Sequence, residues 1–157
     1  MPEFNYSQIT KYLYLGSRFY DSKNMEMVVR DGIRAVVDLN LEKMDRPRNL
    51  LAYLWLPARD FSPPSVEQFF IGIDFIDHLV RRRIKTYVHC NVGFGRAPTL
   101  LAAYLVAIRG YTLAEAVIYL SHRRPGIHPN PGQIDGIKKF IQAFGRYRKS
   151  SQKFHIA

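Results

Sequence analysis

Cys90 and Arg96 are separated by Asn91-Val92-Gly93-Phe94-Gly95, and this short run is the part of the 157-residue chain best equipped for chemistry. A thiol at the N-terminal end of a helix is acidified by the helix dipole and by free N–H groups, so much of it is thiolate at neutral pH. The same N–H groups favour a bound phosphate dianion. A guanidinium offers a planar fork of donors matching two phosphate oxygens, each charge-assisted bond contributing about 1.5–3 kcal/mol. Five residues suffice to curl once around a tetrahedral anion. Gly93 and Gly95, without a Cβ and open to positive φ, are suited to that curl. The spacing therefore predicts a phosphate-binding loop of Asn91, Val92, Gly93, Phe94, Gly95 and Arg96 that carries its own nucleophile, Cys90. As the sole cysteine in the chain, Cys90 has no internal disulfide partner, and a reactive role accounts for it.

Displacing an alkoxide or phenolate from phosphorus also requires a proton donor. Of the aspartates that precede the cysteine, Asp74 and Asp77 fall in a helical pattern, Asp38 ends an apolar strand, and Asp45 lies between Asp38 and Asp60. Asp60 opens Asp60-Phe61-Ser62-Pro63-Pro64, a loop stiffened by prolines, which limits the entropy lost in placing an acid. Asp60 is the expected general acid, in preference to the Asx-turn role such a residue has by default. His89 is not expected to deprotonate Cys90, because neighbouring strand residues point to opposite faces. It is expected to bond nearby backbone and brace the loop. His78, His122, His128 and His155 show no paired metal spacing, so no metal or other cofactor is expected.

These side chains need a rigid approach and a helix start. Lys85 to Cys90 reads as a strand, and Leu100 to Ile108 as a buried helix entered through Pro98. Further strands are expected at Tyr12 to Leu15, Ile33 to Leu39 and Leu50 to Leu56, with a helix from Ser22 to Arg30 ended by Gly32. Val66, Phe69, Phe70, Ile73, Ile76 and Val80 recur at helical spacing behind a Ser65/Gln68 capping box. Thr112 with Glu115 caps another helix, and Ile134, Ile137, Ile141 and Phe144 mark the last. Strands alternating with helices predict an α/β three-layer sandwich with a mainly parallel central sheet flanked by helices. The cysteine loop then lies at a strand's C-terminal end, where such sheets bind ligands.

The run His89-Cys90-Asn91-Val92-Gly93-Phe94-Gly95-Arg96 resembles the H-C-x5-R signature of the cysteine-dependent protein tyrosine phosphatase superfamily, and more closely its small, atypical dual-specificity branch. The resemblance extends from about Asn5 to Phe144. It implies a dual-specificity phosphatase-like fold, a phosphocysteine intermediate, a general acid at the position of Asp60, and a bracing role for His89. Acid before nucleophile along the chain is unlike the low-molecular-weight tyrosine phosphatases. Family members commonly have Ser or Thr after the arginine, where this chain has Ala97; slower breakdown of the phosphocysteine is implied unless Thr99 or water compensates. Gly95-Arg96-Ala97-Pro98 is similar to plant phosphoglucan phosphatases, which implies that alanine there permits turnover. Gln133 stands where an aromatic is common and Gly136 where a glutamine is common, leaving Asn130 and Gln133 as candidates for the rim.

Length and a 47% hydrophobic composition fit a single phosphatase domain over residues 1–157, its core at about 5–145. Pro2, Glu3 and Asn5 do not read as a signal peptide, and the longest apolar run is about half a membrane span. A soluble, cytoplasmic protein is expected. Net charge is +10, and residues 121–157 hold eight Lys or Arg against one Asp. Residues 146–157 are expected to be a basic, flexible, solvated tail, with an anionic partner (RNA, acidic lipid or phosphoprotein) as the functional alternative. Arg59, beside the acid, would favour acidic substrates. The expected substrate is a phosphorylated protein bearing phosphotyrosine, and phosphoserine or phosphothreonine besides. The alternatives are a phosphoinositide or other phospholipid, a phosphoglucan, an RNA 5′-phosphate, or a weakly active phosphate-binding module.

Overall fold

The computed structural model describes the backbone of residues 3–156 and the side chains of residues 3–151. The elements run β1 (Tyr6–Thr10), β2 (Leu13–Gly16), α1 (Ser22–Arg30), β3 (Ala35–Asn40), β4 (Ala52–Ala58), α2 (Val66–Arg81), β5 (Thr86–His89), α3 (Arg96–Arg109), α4 (Leu113–Arg123) and α5 (Pro131–Ile156). The sheet order is β1-β2-β5-β3-β4; β1 is antiparallel to β2, and the other neighbours are parallel. The α/β sandwich and mainly parallel sheet read from the sequence are therefore those of the structure.

Strand alternation builds the layers. Leu13, Leu15, Val37, Leu39 and Val88 point into a large core with α2, α3 and α5, whereas Tyr14, Val36 and Tyr87 point the other way, against Val28 of α1. The sheet is thus buried on both faces, as crossover helices require. α3 is the central helix: Ala97 through Leu105 are all buried, and Gly110 at φ +74 ends it in the left-handed cap that glycine favours. The Ser65/Gln68 and Thr112/Glu115 capping boxes start α2 and α4.

Three expectations are corrected. β1 is a strand that the sequence reading left out. β4 begins and ends two residues later than Leu50 to Leu56, which brings its last residue, Ala58, to the edge of the site. The basic segment from Arg146 continues the helical backbone of α5 instead of leaving it, with Tyr147 packed edge-on to Phe70 and Arg148 over the Phe144 ring. Lys153 and His155 lie outside the described side chains, as do Met1 and Pro2. Among the described residues, no helix is long and apolar enough to cross a membrane.

Candidate active site

Tyr87, Val88, His89 and Cys90 alternate between the two faces, so Cys90 turns toward the large core and His89 toward the α1 side. Cys90 is 2% exposed and follows directly on β5. The loop ends at Gly95, the N-cap of α3, which makes no side-chain capping bond. The first N–H groups of a buried fourteen-residue helix therefore open onto the loop.

The bonding within the loop is one-sided. The carbonyl of Asn91 accepts from the Arg18 amide at 2.8 Å, Val92 from Arg124 Nη2 at 2.8 Å, Gly93 from Arg124 Nε at 3.1 Å, Phe94 from the His128 amide at 2.8 Å, and Gly95 from Thr99 Oγ1 at 2.7 Å. Five successive carbonyls are held from outside the loop, while none of the amides 91–96 donates to another described residue. A ring of amides so released is an anion-binding concavity. Gly93 sits at φ +79, and a Cβ there would fall 2.4 Å from the Gly16 carbonyl oxygen, so both backbone and packing require glycine. Gly95 differs from expectation: its φ is −121, and a Cβ would meet only the Gln133 amide, at 3.3 Å. Its bareness serves packing rather than a positive φ.

Arg96 is 1% exposed. Its Nη1 donates to both Glu42 carboxylate oxygens, at 3.1 and 3.0 Å, and to the Ala58 carbonyl at 2.9 Å; Nη2 lies 3.4 Å from Asn40 Oδ1. Burial pushes the Glu42 carboxyl upward, but the hydrogen bond and charge of Arg96 together with backbone N–H groups of residues 41 and 42 outweigh it and hold the group below the usual range. Arg96 Nε is buried without a hydrogen bond, and Asp60 Oδ1 stands 3.6 Å from it. The structure thus brings the expected acid to the expected arginine, above the loop that starts at Cys90. Asp60 is half-exposed and accepts from the Phe61 amide at 3.0 Å. Arg59 is exposed beside it.

His89 is fully buried, and each ring nitrogen meets an oxygen: Nδ1 the Cys90 carbonyl at 3.1 Å and Nε2 Asp45 Oδ2 at 2.7 Å. Asp38 lies behind, accepting from the Tyr53 hydroxyl at 2.5 Å and from the Asn40 and Asp45 amides. Burial pulls the His89 imidazole down, but the bond and charge of Asp45 and the charge of Asp38 outweigh it, so its proton is held more tightly than usual. Burial pushes Asp38 up despite the nearby imidazole. Potential ligand atoms of Asp38, Asp45 and His89 lie within 4.8 Å of one another, and all three are engaged in this chain of hydrogen bonds. His78, His122 and His128 are exposed.

Two expectations change here. Thr99 does not supply the hydroxyl missing at Ala97, since its Oγ1 is bound to the Gly95 carbonyl. Asn130 and Gln133 are committed to the acid loop: Asn130 Nδ2 donates to the Phe61 carbonyl at 2.8 Å and Gln133 Nε2 lies 3.4 Å from that of Ser62. Glu42, Arg124, Asp38 and Asp45 belong to the site although the sequence reading gave them no role in it. Each works through a contact distant in sequence, such as that of Glu42 with Arg96, 54 positions on. A cavity of about 610 Å³ between α1 and residues 43–49 reaches this assembly through Asp45 and through Phe19, which packs on the His89 ring; Cys90 and Arg96 do not line it.

A cysteine at a strand end, a loop of free amides behind it and a buried arginine facing an aspartate come together on a three-layer α/β frame. Residues 13–143 match the family model "Dual specificity phosphatase, catalytic domain", and the chain belongs to that family, within the cysteine-dependent protein tyrosine phosphatase superfamily. It is 33% identical over 126 residues to human dual specificity protein phosphatase 5, covering 80% of this chain and 33% of that protein. The chain thus spans about a third of the length of the curated relative it matches. It is similar to the crystal structure of Tk-PTP in the active form, with a TM-score of 0.76, 28% identity, and 86% and 95% of the two chains covered. PTPMT1 in complex with PI(5)P shares the fold at a TM-score of 0.81 and 22% identity, over 91% of this chain and 98% of that one.

Proposed function

We propose that this chain hydrolyses phosphomonoesters of proteins, phosphotyrosine first and phosphoserine or phosphothreonine besides, through a phosphocysteine. The observation that carries the reading is the one-sided bonding of residues 91–95, whose carbonyls are all held away while their amides stay free beside Cys90. In the first step the Cys90 thiolate attacks phosphorus in line, the P–O ester bond breaks, and Asp60 gives its proton to the leaving oxygen. In the second, water attacks the phosphocysteine, Asp60 takes the water's proton, and the sulfur leaves as thiolate with release of inorganic phosphate. Arg96 and the loop amides stabilise the equatorial oxygens in both transition states.

Support for a protein substrate comes from the family and from the name of the human relative, a protein phosphatase. A reducing, intracellular compartment suits a chemistry that needs free thiolate. The exposed Arg146, Arg148 and Lys149 on α5 carry positive charge that would draw anionic partners. The test is turnover of a phosphotyrosyl and a phosphothreonyl peptide beside phosphatidylinositol 5-phosphate and phosphoglucan, with Cys90→Ser as control. Hydrolysis of the peptides, abolished by Cys90→Ser, supports the reading. Exclusive turnover of lipid or glucan overturns the protein assignment, and full activity in Cys90→Ser overturns the mechanism.

A further inference from the structure

The start of α5 is built to hold the acid loop. Asn130 and Gln133 form a reciprocal cap, the Gln133 amide donating to Asn130 Oδ1 and the Asn130 amide to Gln133 Oε1, each at 2.9 Å. An Asn–Gln pair closes a helix with its two side-chain oxygens, which leaves two NH2 groups unused by the helix. Both face the acid loop: Asn130 Nδ2 bonds the Phe61 carbonyl at 2.8 Å, and Gln133 Nε2 approaches the Ser62 carbonyl at 3.4 Å. One turn further on, α5 presents Gly136, where a Cβ would fall 2.4 Å from Pro63 Cβ. Three consecutive residues after Asp60 are thus pinned to the first turns of one helix.

The pinned segment has an unusual backbone. Phe61 has φ +63, disfavoured for a residue with a Cβ, within a turn closed by the Ser62 amide on the Arg59 carbonyl at 3.0 Å. Phe61 is 75% exposed, so core packing of its side chain does not explain the conformation. Phe61 is the third residue of that turn, a position that takes positive φ in some turn types, and the bond from Asn130 to its carbonyl holds it there. Gln133 is 2% exposed and also borders Gly95, tying the acid loop to the phosphate loop across one side chain.

We propose that Asn130, Gln133 and Gly136 are positioning residues for Asp60: they hold the acid loop closed over the phosphate loop, so that the carboxyl meets the leaving oxygen. This rests on the phosphatase reading above. Asn130→Asp is the informative variant, because the new carboxylate keeps the capping oxygen, suits a helix N-terminus, and replaces the donor to Phe61 with a second acceptor. Phenyl phosphate, whose phenolate leaves poorly, depends on the acid more than 4-nitrophenyl phosphate does. Asn130→Asp is expected to lower kcat/KM on phenyl phosphate about tenfold more than on 4-nitrophenyl phosphate, and to flatten the limb of the pH profile that reports protonated Asp60. Gly136→Ala, which displaces Pro63 without touching a hydrogen bond, is expected to do the same, with Asp60→Asn setting the full size of the effect. Equal losses on both substrates with an unaltered pH profile, or no loss, overturn the proposal. An inactive wild type, or no substrate-dependent loss in Asp60→Asn, instead overturns the phosphatase reading or the role of Asp60.

Discussion

Replacing Asp45 by Asn tests whether the charge beneath the cysteine loop is real. Both ring nitrogens of His89 meet acceptors, the Cys90 carbonyl at 3.1 Å and Asp45 Oδ2 at 2.7 Å. A neutral imidazole has one N–H, so satisfying both requires the imidazolium. In Asp45→Asn the buried cation loses its carboxylate. Breaking such a pair outright costs about 3–5 kcal/mol, but His89 can shed its proton and forfeit one hydrogen bond instead, at about 1–3 kcal/mol. With Asp38 still 3.8 Å away, the expected loss at acidic pH is about 2–3 kcal/mol, or a Tm lower by about 4–12 °C for a domain of this size. The His89 pKa is raised in the folded wild type, so its contribution is complete below the unfolded pKa and disappears as pH rises through the folded one. Asp38, also raised, gives a slope of the same sign but is present in both proteins and largely cancels. Urea unfolding of wild type and variant between about pH 5.5 and about pH 9 should show a gap that narrows with increasing pH. A gap that is constant, or that widens, refutes the imidazolium.

Gly93→Ala is expected to destabilise by about 2–3 kcal/mol and abolish turnover, since its Cβ would strike the Gly16 carbonyl at a positive φ, whereas Gly95→Ala should fold normally; chemical unfolding of the pair separates them. Arg124→Lys keeps the charge but cannot bond the Val92 and Gly93 carbonyls in one plane, so kcat/KM should fall about tenfold with little change in fold, as steady-state kinetics and circular dichroism would show. Because Ala97 has no hydroxyl and that of Thr99 is bound to the Gly95 carbonyl, phosphocysteine is expected to accumulate; rapid-quench assays should show a burst of alcohol or phenol release, and Ala97→Ser should shrink it.

The sequence announced what was local. A cysteine, two glycines and an arginine at fixed spacing, a proline-stiffened aspartate, and capping boxes written with Ser or Thr and Gln or Glu all report short-range geometry. Boxes written with asparagine escaped notice: Asp21 with Asn24 starts α1 and Asn130 with Gln133 starts α5, and neither matches the usual pattern. β1 was illegible because only Ile9 of its five residues is fully buried; the strand exists by pairing with β2 rather than through alternating hydrophobicity. Glu42, Asp38 and Asp45 read as ordinary loop and strand-end acids. Their roles follow from the order of β5 beside β3, which sets the end of one strand against the loop after the other, and no residue spacing encodes that order.

The same neighbour relation accounts for the state of Arg96. A fully buried guanidinium needs its donors satisfied, and Nη1 is satisfied twice over, by Glu42 from the loop after β3 and by Ala58 at the end of β4. Its orientation is therefore set before any substrate arrives. Nε is left out of this arrangement. A phosphate oxygen between the loop amides and Arg96 would offer Nε an acceptor. Nε also faces Asp60 at 3.6 Å, too far for a good hydrogen bond but close enough to place the acid on the phosphate's side of the loop. The fold thus fixes the arginine through Glu42 and Ala58 and directs Nε toward Asp60.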